Sequence, residues 1–156
     1  MVADYITAAG LQALRDEHQA LWLRRREVVK ALSAAAAEGD RSENAEYIYR
    51  KKELREIDRR LRYLGRRLDE LKVPQALPQD TSRVYFGAWV TLEDQAGDCR
   101  TLRIVGSDET DPKQGWISLR APMAKALLGK RLDDEISVAL PAGREQYVIV
   151  EIDYRV

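Results

Sequence analysis

Two runs of residues spaced alternately three and four apart constrain this chain more than any other feature. The first is Leu11, Leu14, His18, Leu21, Arg25, Val28, Leu32 and Ala35; the second is Leu54, Ile57, Leu61, Leu64, Leu68 and Leu71. A repeat averaging 3.5 residues keeps each run on one stripe of an α-helix, as the seam of a coiled coil requires. Each helix has a single apolar stripe to bury, and Gly39 interrupts the pattern between them. The connection is too short for a parallel return, so the spacing predicts an antiparallel two-helix coiled-coil hairpin. Thr7 is placed to cap the first helix, and Pro74 followed by Pro78 ends the second. Helices of about 30 residues make such a hairpin roughly 45 Å long at 1.5 Å per residue. Its base is expected to pack on the rest of the chain.

The turn between the two runs reads Glu38-Gly39-Asp40-Arg41-Ser42-Glu43-Asn44-Ala45-Glu46-Tyr47. Four carboxylates therefore fall at the far end of the hairpin, where they stabilise no hydrophobic interior. Asp40 and Glu43 share a face wherever this turn is helical. Asp40 can act as a helix cap with Glu43 closing a capping-box-like arrangement at the positive end of the dipole. The same two carboxylates can also offer hard oxygens to Mg²⁺, which takes one or two carboxylates and keeps water or phosphate in its other positions. The two roles are compatible, and the residues alone leave both open.

Charge is segregated. Lys plus Arg and Asp plus Glu both total 26, yet residues 1–73 carry a net +3 and residues 74–156 a net −3. Within residues 47–67 nine basic residues stand against Glu53, Glu56 and Asp58. Lys52, Arg55, Arg59, Arg62 and Arg66 repeat at three and four, two positions before each of the first five members of the second apolar stripe. At about 100° per residue they lie on the face opposite the seam. Such a run is an ordinary solvated face if pairs such as Glu56 with Arg60 neutralise it. A strip this cationic also suits a phosphate backbone, with Tyr47, Tyr49 and Tyr63 available to stack on bases. Arg25 is placed to pair across the seam with an acidic residue of the second helix, and His18 to pack within it.

Beyond Arg83 the period changes to that of strands. Ala88–Leu92 and Arg100–Val105 flank a turn at Gln95-Ala96-Gly97-Asp98, and Trp116-Ile117-Ser118 is a further short strand. Pro122 to Leu128 predicts one short helix stopped by Gly129. Glu135–Leu140 and Tyr147–Tyr154 form a second hairpin across Pro141-Ala142-Gly143-Arg144. The class is α+β, a helical hairpin over 1–76 and an antiparallel sheet with one short helix over 77–156. Trp89 and Trp116 are expected in the core of that sheet. The single cysteine, Cys99, excludes an internal disulfide and a CxxC metal site. A lone His, no P-loop, no GxGxxG and no Ser/His/Asp set argue against a self-contained enzyme. No apolar run approaches the ~20 residues of a membrane helix, and the N-terminus has no signal-like pattern. A cytoplasmic monomer with no membrane partner is expected.

Gly39-Asp40-Arg41-Ser42-Glu43-Asn44-Ala45-Glu46-Tyr47, followed by Lys51-Lys52-Glu53-Leu54-Arg55-Glu56-Ile57-Asp58-Arg59-Arg60, resembles the bacterial transcript-cleavage factors of the GreA/GreB family. Further matches are Ile6-Thr7 with Gly10 and Leu14, Tyr85-Phe86-Gly87-Ala88-Trp89-Val90, and Pro122-Met123-Ala124-Lys125-Ala126-Leu127-Leu128-Gly129-Lys130. The basic run resembles the more basic of that family's two branches. The resemblance implies an FKBP-like second domain that grips the rim of RNA polymerase, through Pro122, Met123 and Lys125, while the coiled coil enters the secondary channel. It implies that Asp40 and Glu43, supported by Ser42, help hold a Mg²⁺ of the polymerase active site, with no cofactor bound by the factor alone. Backtracked RNA would then be cut at its 3′ segment, with Lys52, Arg55, Arg59, Arg62 and Arg66 facing that RNA. Where the family pattern has an acidic residue and then Ser before Pro122, this chain has Arg120 and Ala121. A channel-binding relative without cleavage activity, the less basic family branch, and a coiled-coil adaptor for another partner are the competing readings.

Overall fold

The computed structural model describes residues 4–38, 44–74 and 77–155. These residues form two compact units: Leu11 to Leu71, and a second combining the residues up to Gly10 with those from Lys72 onward. Residues 4–10 join the second unit through main-chain pairing. Ile6 N–H donates to the Lys72 carbonyl at 3.0 Å, and Lys72 N–H donates to the Asp4 carbonyl at 2.9 Å.

The first unit is built from helix α1, Ala8–Ala36, and helix α2, Ala45–Glu70. Thr7 caps α1 as its type and position dictate: its hydroxyl accepts the Gly10 N–H at 3.0 Å. The two stripes are the buried ones. Leu14, Val28 and Ala35 of α1 and Ile57, Leu61 and Leu64 of α2 are buried, and the other stripe residues of both helices are half-buried. Val28 packs on Ile57 and Leu61, with Leu21 and Leu54 against them. Cross-helix partners run in opposite senses, Glu17 with Arg60 and Arg24 with Glu53, which makes the pair antiparallel. Helix α2 stops at Glu70, before Pro74, with Leu71 in extended backbone as its cap.

The second unit is a five-stranded sheet: β1 Trp89–Asp94, β2 Cys99–Val105, β3 Trp116–Ser118, β4 Glu135–Leu140 and β5 Gly143–Asp153, in the spatial order β3-β2-β1-β5-β4. The β1–β2 turn forms at the expected residues. Asp94 accepts the Ala96 and Asp98 N–H groups at 2.9 Å each, and Gly97 takes the positive φ of 87° that a side chain would resist. The β4–β5 hairpin is tighter than the sequence suggests, since Leu140 pairs directly with Gly143. Three of the four pairings are antiparallel, while β3 runs parallel to β2 after a 3₁₀ turn at Pro112–Gln114.

Helix α3, Pro122–Leu127, covers one sheet face. Its Met123, Ala124 and Leu127 join Val90, Leu92, Leu102, Ile104, Ile136, Val138 and Ile149 in one core. Trp89 and Trp116 are not in it. Val90 and Leu92 face the core, so the strict alternation of a strand sends Trp89 to the opposite face, beside its β2 partner Arg103, which in turn pairs with Trp116. The Arg103 guanidinium lies 3.8 Å from the Trp89 ring centre and 5.3 Å from that of Trp116. Burial pulls its pKa down from the ordinary arginine value. Among the described residues, no helix is long and apolar enough to cross a membrane.

The seam should carry the stability of the helical unit. Leu64 is fully buried, so Leu64→Ala is expected to cost about 2–5 kcal/mol, against within ~0.5 kcal/mol for the exposed Arg62→Ala. Urea titrations followed by far-UV circular dichroism compare the two; equal midpoints would remove the seam from this role.

Candidate functional site

The residues that close the hairpin come first. After Ala36 the last turn of α1 continues to Glu38, whose N–H donates to the Ala35 carbonyl at 3.2 Å. Helix α2 starts under Asn44. Its side-chain oxygen accepts the Tyr47 N–H at 3.1 Å, and its amide nitrogen donates to the Ala35 carbonyl at 2.7 Å. One residue thus satisfies an orphan donor at the start of α2 and gives the Ala35 carbonyl at the end of α1 a second donor. Asn44 is the N-cap of α2; the capping-box reading of Asp40 and Glu43 falls on residues outside those described.

Asp40, Ser42 and Glu43 lie outside the described residues. Of the neighbouring carboxylates, Glu46 accepts from Arg50 Nε at 2.8 Å, and Glu38 is exposed. Among the described residues no three His, Cys, Asp or Glu side chains come together as a metal site. Mg²⁺ takes one or two carboxylates and completes its shell elsewhere, and by residue type Asp40 and Glu43 are a pair of that kind.

The arginines of the helical unit divide by partner. Arg25 Nε meets Asp58 at 2.7 Å, as its place on the seam predicts. Arg60 bonds Glu17 through Nε at 2.6 Å and through its terminal nitrogen at 2.9 Å. The sequence offered Glu56 as its partner; the facing helix supplies a two-pronged acceptor instead. Arg24 and Arg50 both reach Glu53, at 2.8 and 3.0 Å. The Arg24 hydrogen bond holds the Glu53 carboxyl below its ordinary value, and the Arg60 bond does the same for Glu17.

Lys52, Arg55, Arg59, Arg62 and Arg66 are all exposed. Arg66 lies 3.9 Å from Glu70. Among the described residues, Lys52, Arg55, Arg59 and Arg62 form no ion pair. Glu17, Glu53 and Asp58 are taken by arginines at the seam edges. Of the tyrosines, Tyr49 is exposed, whereas Tyr63 has the guanidiniums of Arg60 and Arg66 at 5.2 and 5.6 Å from its ring. Sequence reasoning missed Trp22, which is 47% exposed on α1. The signal was available: it follows the seam residue Leu21 and is therefore rotated about 100° off the stripe.

In the sheet unit, Pro122 and Lys125 are exposed, while Met123 is buried in the core and holds α3 in place. Arg120, where the family pattern has an acid, bonds Asp4 at 2.9 Å. Glu109 accepts the N–H groups of Thr7 and Gly106 at 2.8 Å each and the Thr7 hydroxyl as well. A methyl group at Gly10 would collide with that carboxylate.

Residues 4–73 match the family described as "Transcription elongation factor, N-terminal", and residues 79–154 match "Transcription elongation factor, GreA/GreB, C-term". The chain belongs to the GreA/GreB family of transcription elongation factors. It is 57% identical to the transcription elongation factor GreB of Xanthomonas axonopodis over 96% of this chain and 90% of that one. With GreB of Pseudomonas aeruginosa the identity is 55%, over 96% and 89%. Among solved structures, the GreA factor homolog 1 protein of Thermus thermophilus is 25% identical, with coverage of 97% and 99% and a TM-score of 0.46.

Two outcomes follow. Asn44→Ala removes the cap and the bond to Ala35 together, and should lower the stability of the helical unit by about 1–2 kcal/mol, with Asn44→Asp recovering only the cap; thermal melts read both. Glu17 and Glu53 bind protons less readily folded than unfolded, so the unfolded chain takes up more protons as pH falls. Their contribution is present above the ordinary glutamate pKa (~4.3) and is lost as pH drops through the depressed values. Glu53→Gln should flatten the acid limb of a stability–pH profile; a profile parallel to the parent's would exclude this pair.

Proposed function

We propose that this chain enters the secondary channel of RNA polymerase in the cytoplasm and stimulates endonucleolytic cleavage of the 3′ end of backtracked RNA. The observation that carries this reading is the near full-length identity to GreB relatives, in a chain whose segment of Asp40, Ser42 and Glu43 joins two seam-packed helices.

Each part of the chain has a physical task. The seam holds α1 and α2 together, and Asn44 fixes the exit of one and the start of the other. Asp40 and Glu43 supply oxygen ligands toward a Mg²⁺ of the polymerase active site, with Ser42 orienting the group. Together with a second ion of the polymerase, that ion would supply two-metal phosphodiester hydrolysis, in which one ion would activate water and the other steady the leaving oxygen. The polymerase contributes the catalytic centre; this chain adds ligands to it and binds no ion by itself. Lys52, Arg55, Arg59, Arg62 and Arg66 meet the phosphates of the extruded RNA, the first four with charge left over by the pairing described above. The FKBP-like sheet unit contacts the polymerase rim through the exposed Pro122 and Lys125. Asp4 neutralises Arg120 within the chain, which lessens the effect of reversed charge beside that contact.

Substituting Asp40→Asn and Glu43→Gln together tests the reading on purified backtracked elongation complexes. The expected result is loss of stimulated cleavage at every Mg²⁺ concentration, with polymerase binding by competition within about twofold of the parent. Cleavage at the parental rate by the double variant would refute the ligand role, and absence of cleavage by the parent itself would favour a relative that occupies the channel without cutting.

A further inference from the structure

The helical unit holds an aromatic side chain that neither the seam nor the ion pairs use. Trp22 is 47% exposed, unusual for the largest apolar side chain. Its position is nonetheless fixed. The His18 ring meets it edge-on, with centroids 6.4 Å apart and planes at 83°, and the Arg25 guanidinium lies 5.9 Å from its centre. Arg25 is itself pinned by Asp58 at 2.7 Å.

Beside the ring opens a groove of about 380 Å³ lined by Trp22, Arg25, Asp58, Leu61 and Arg62, a size within the range of small-ligand sites. Its one carboxylate, Asp58, is engaged by Arg25. Arg62 is exposed and, among the described residues, forms no ion pair. It continues along α2 to Arg59 on one side and Arg66 on the other, so the groove opens onto the cationic strip.

We propose that Trp22 and Arg62 form a stacking station for one base of a single-stranded RNA whose backbone follows the strip. The inference rests on the RNA-facing reading of that strip and adds a residue from the other helix. Base stacking on an aromatic ring tolerates any sequence, because every base has a π-face, and an adjacent guanidinium takes the phosphate. The lining disfavours an apolar protein segment. Leu61 is its only aliphatic residue and is already buried in the seam, whereas the uncommitted charge suits a polyanion.

The full-length protein is titrated at low salt with a short unstructured oligoribonucleotide, and with an abasic ribose-phosphate chain of equal length. Trp22→Ala should weaken the oligonucleotide about tenfold and leave abasic binding unchanged. Trp22→Tyr should keep most of the affinity and Trp22→Leu should not, with equal helix content by circular dichroism. Arg62→Gln should weaken both chains and lower the log–log salt slope by roughly 0.7. Oligonucleotide binding that survives Trp22→Ala, a parallel loss on both chains, rescue by Leu, or no measurable binding by the parent protein would overturn the proposal. So would a defect confined to polymerase binding, which would mark Trp22 as a protein contact. Cleavage in complexes backtracked by a few nucleotides is read in parallel. Its loss in the parent removes the proposed function, whereas its persistence beside a failed titration removes only the station.

Discussion

Packing between the α1 and α2 stripes is the interaction on which the helical unit depends. Val28 packs on Ile57 and Leu61 with Leu21 and Leu54 against them, and Leu14, Ala35 and Leu64 are buried along the same two stripes. Burying each leucine, isoleucine or valine of the seam is favourable by about 1.5–3 kcal/mol, whereas ion pairs exposed to solvent at its edges contribute much less. The seam thus supplies the stability and the pairs supply the register: Glu17 with Arg60 and Arg24 with Glu53 fit only one antiparallel alignment. Asn44 closes the end of that alignment on the Ala35 carbonyl.

The cationic strip is a consequence of the same geometry. Carboxylates within reach of the seam, Glu17, Glu53 and Asp58, are consumed by Arg60, Arg24, Arg50 and Arg25. Lys52, Arg55, Arg59 and Arg62 are exposed and, among the described residues, form no ion pair. A chain of formally zero net charge thereby presents one strongly basic face. That separation explains how a protein with a balanced composition can still meet a polyanion.

Local rules made the seam, the Thr7 cap, the Gly97 turn and the position of α3 legible in the sequence, because each depends on residues a few positions apart. Failures came where a partner from elsewhere in the chain decides. Arg60 has a suitable acid one turn before it, yet bonds Glu17 on the facing helix. Asn44, which caps α2, also bonds the Ala35 carbonyl of the other helix, a partner that local spacing does not show. Trp89 and Trp116 are expected in the core, but strand parity puts Trp89 on the face opposite Val90; in a sheet a phase difference of one residue exchanges the faces. The parallel pairing of β3 rests on three residues and has no periodicity to read. Among the candidate site residues, the strip followed from spacing alone, and Trp22 was hidden by its place beside a seam leucine.

The central claim is that the hairpin carries its acidic segment a set distance to another protein's active site, and its length can be changed without removing a side chain. Inserting one heptad into each helix at facing seam positions preserves the stripe and moves Asp40 and Glu43 about 10 Å farther along the axis at 1.5 Å per residue. The measurement is the rate of RNA cleavage in backtracked elongation complexes at saturating factor. The predicted result is a folded, polymerase-binding protein whose stimulation of cleavage is lost. Cleavage at the parental rate by the lengthened protein would contradict the claim.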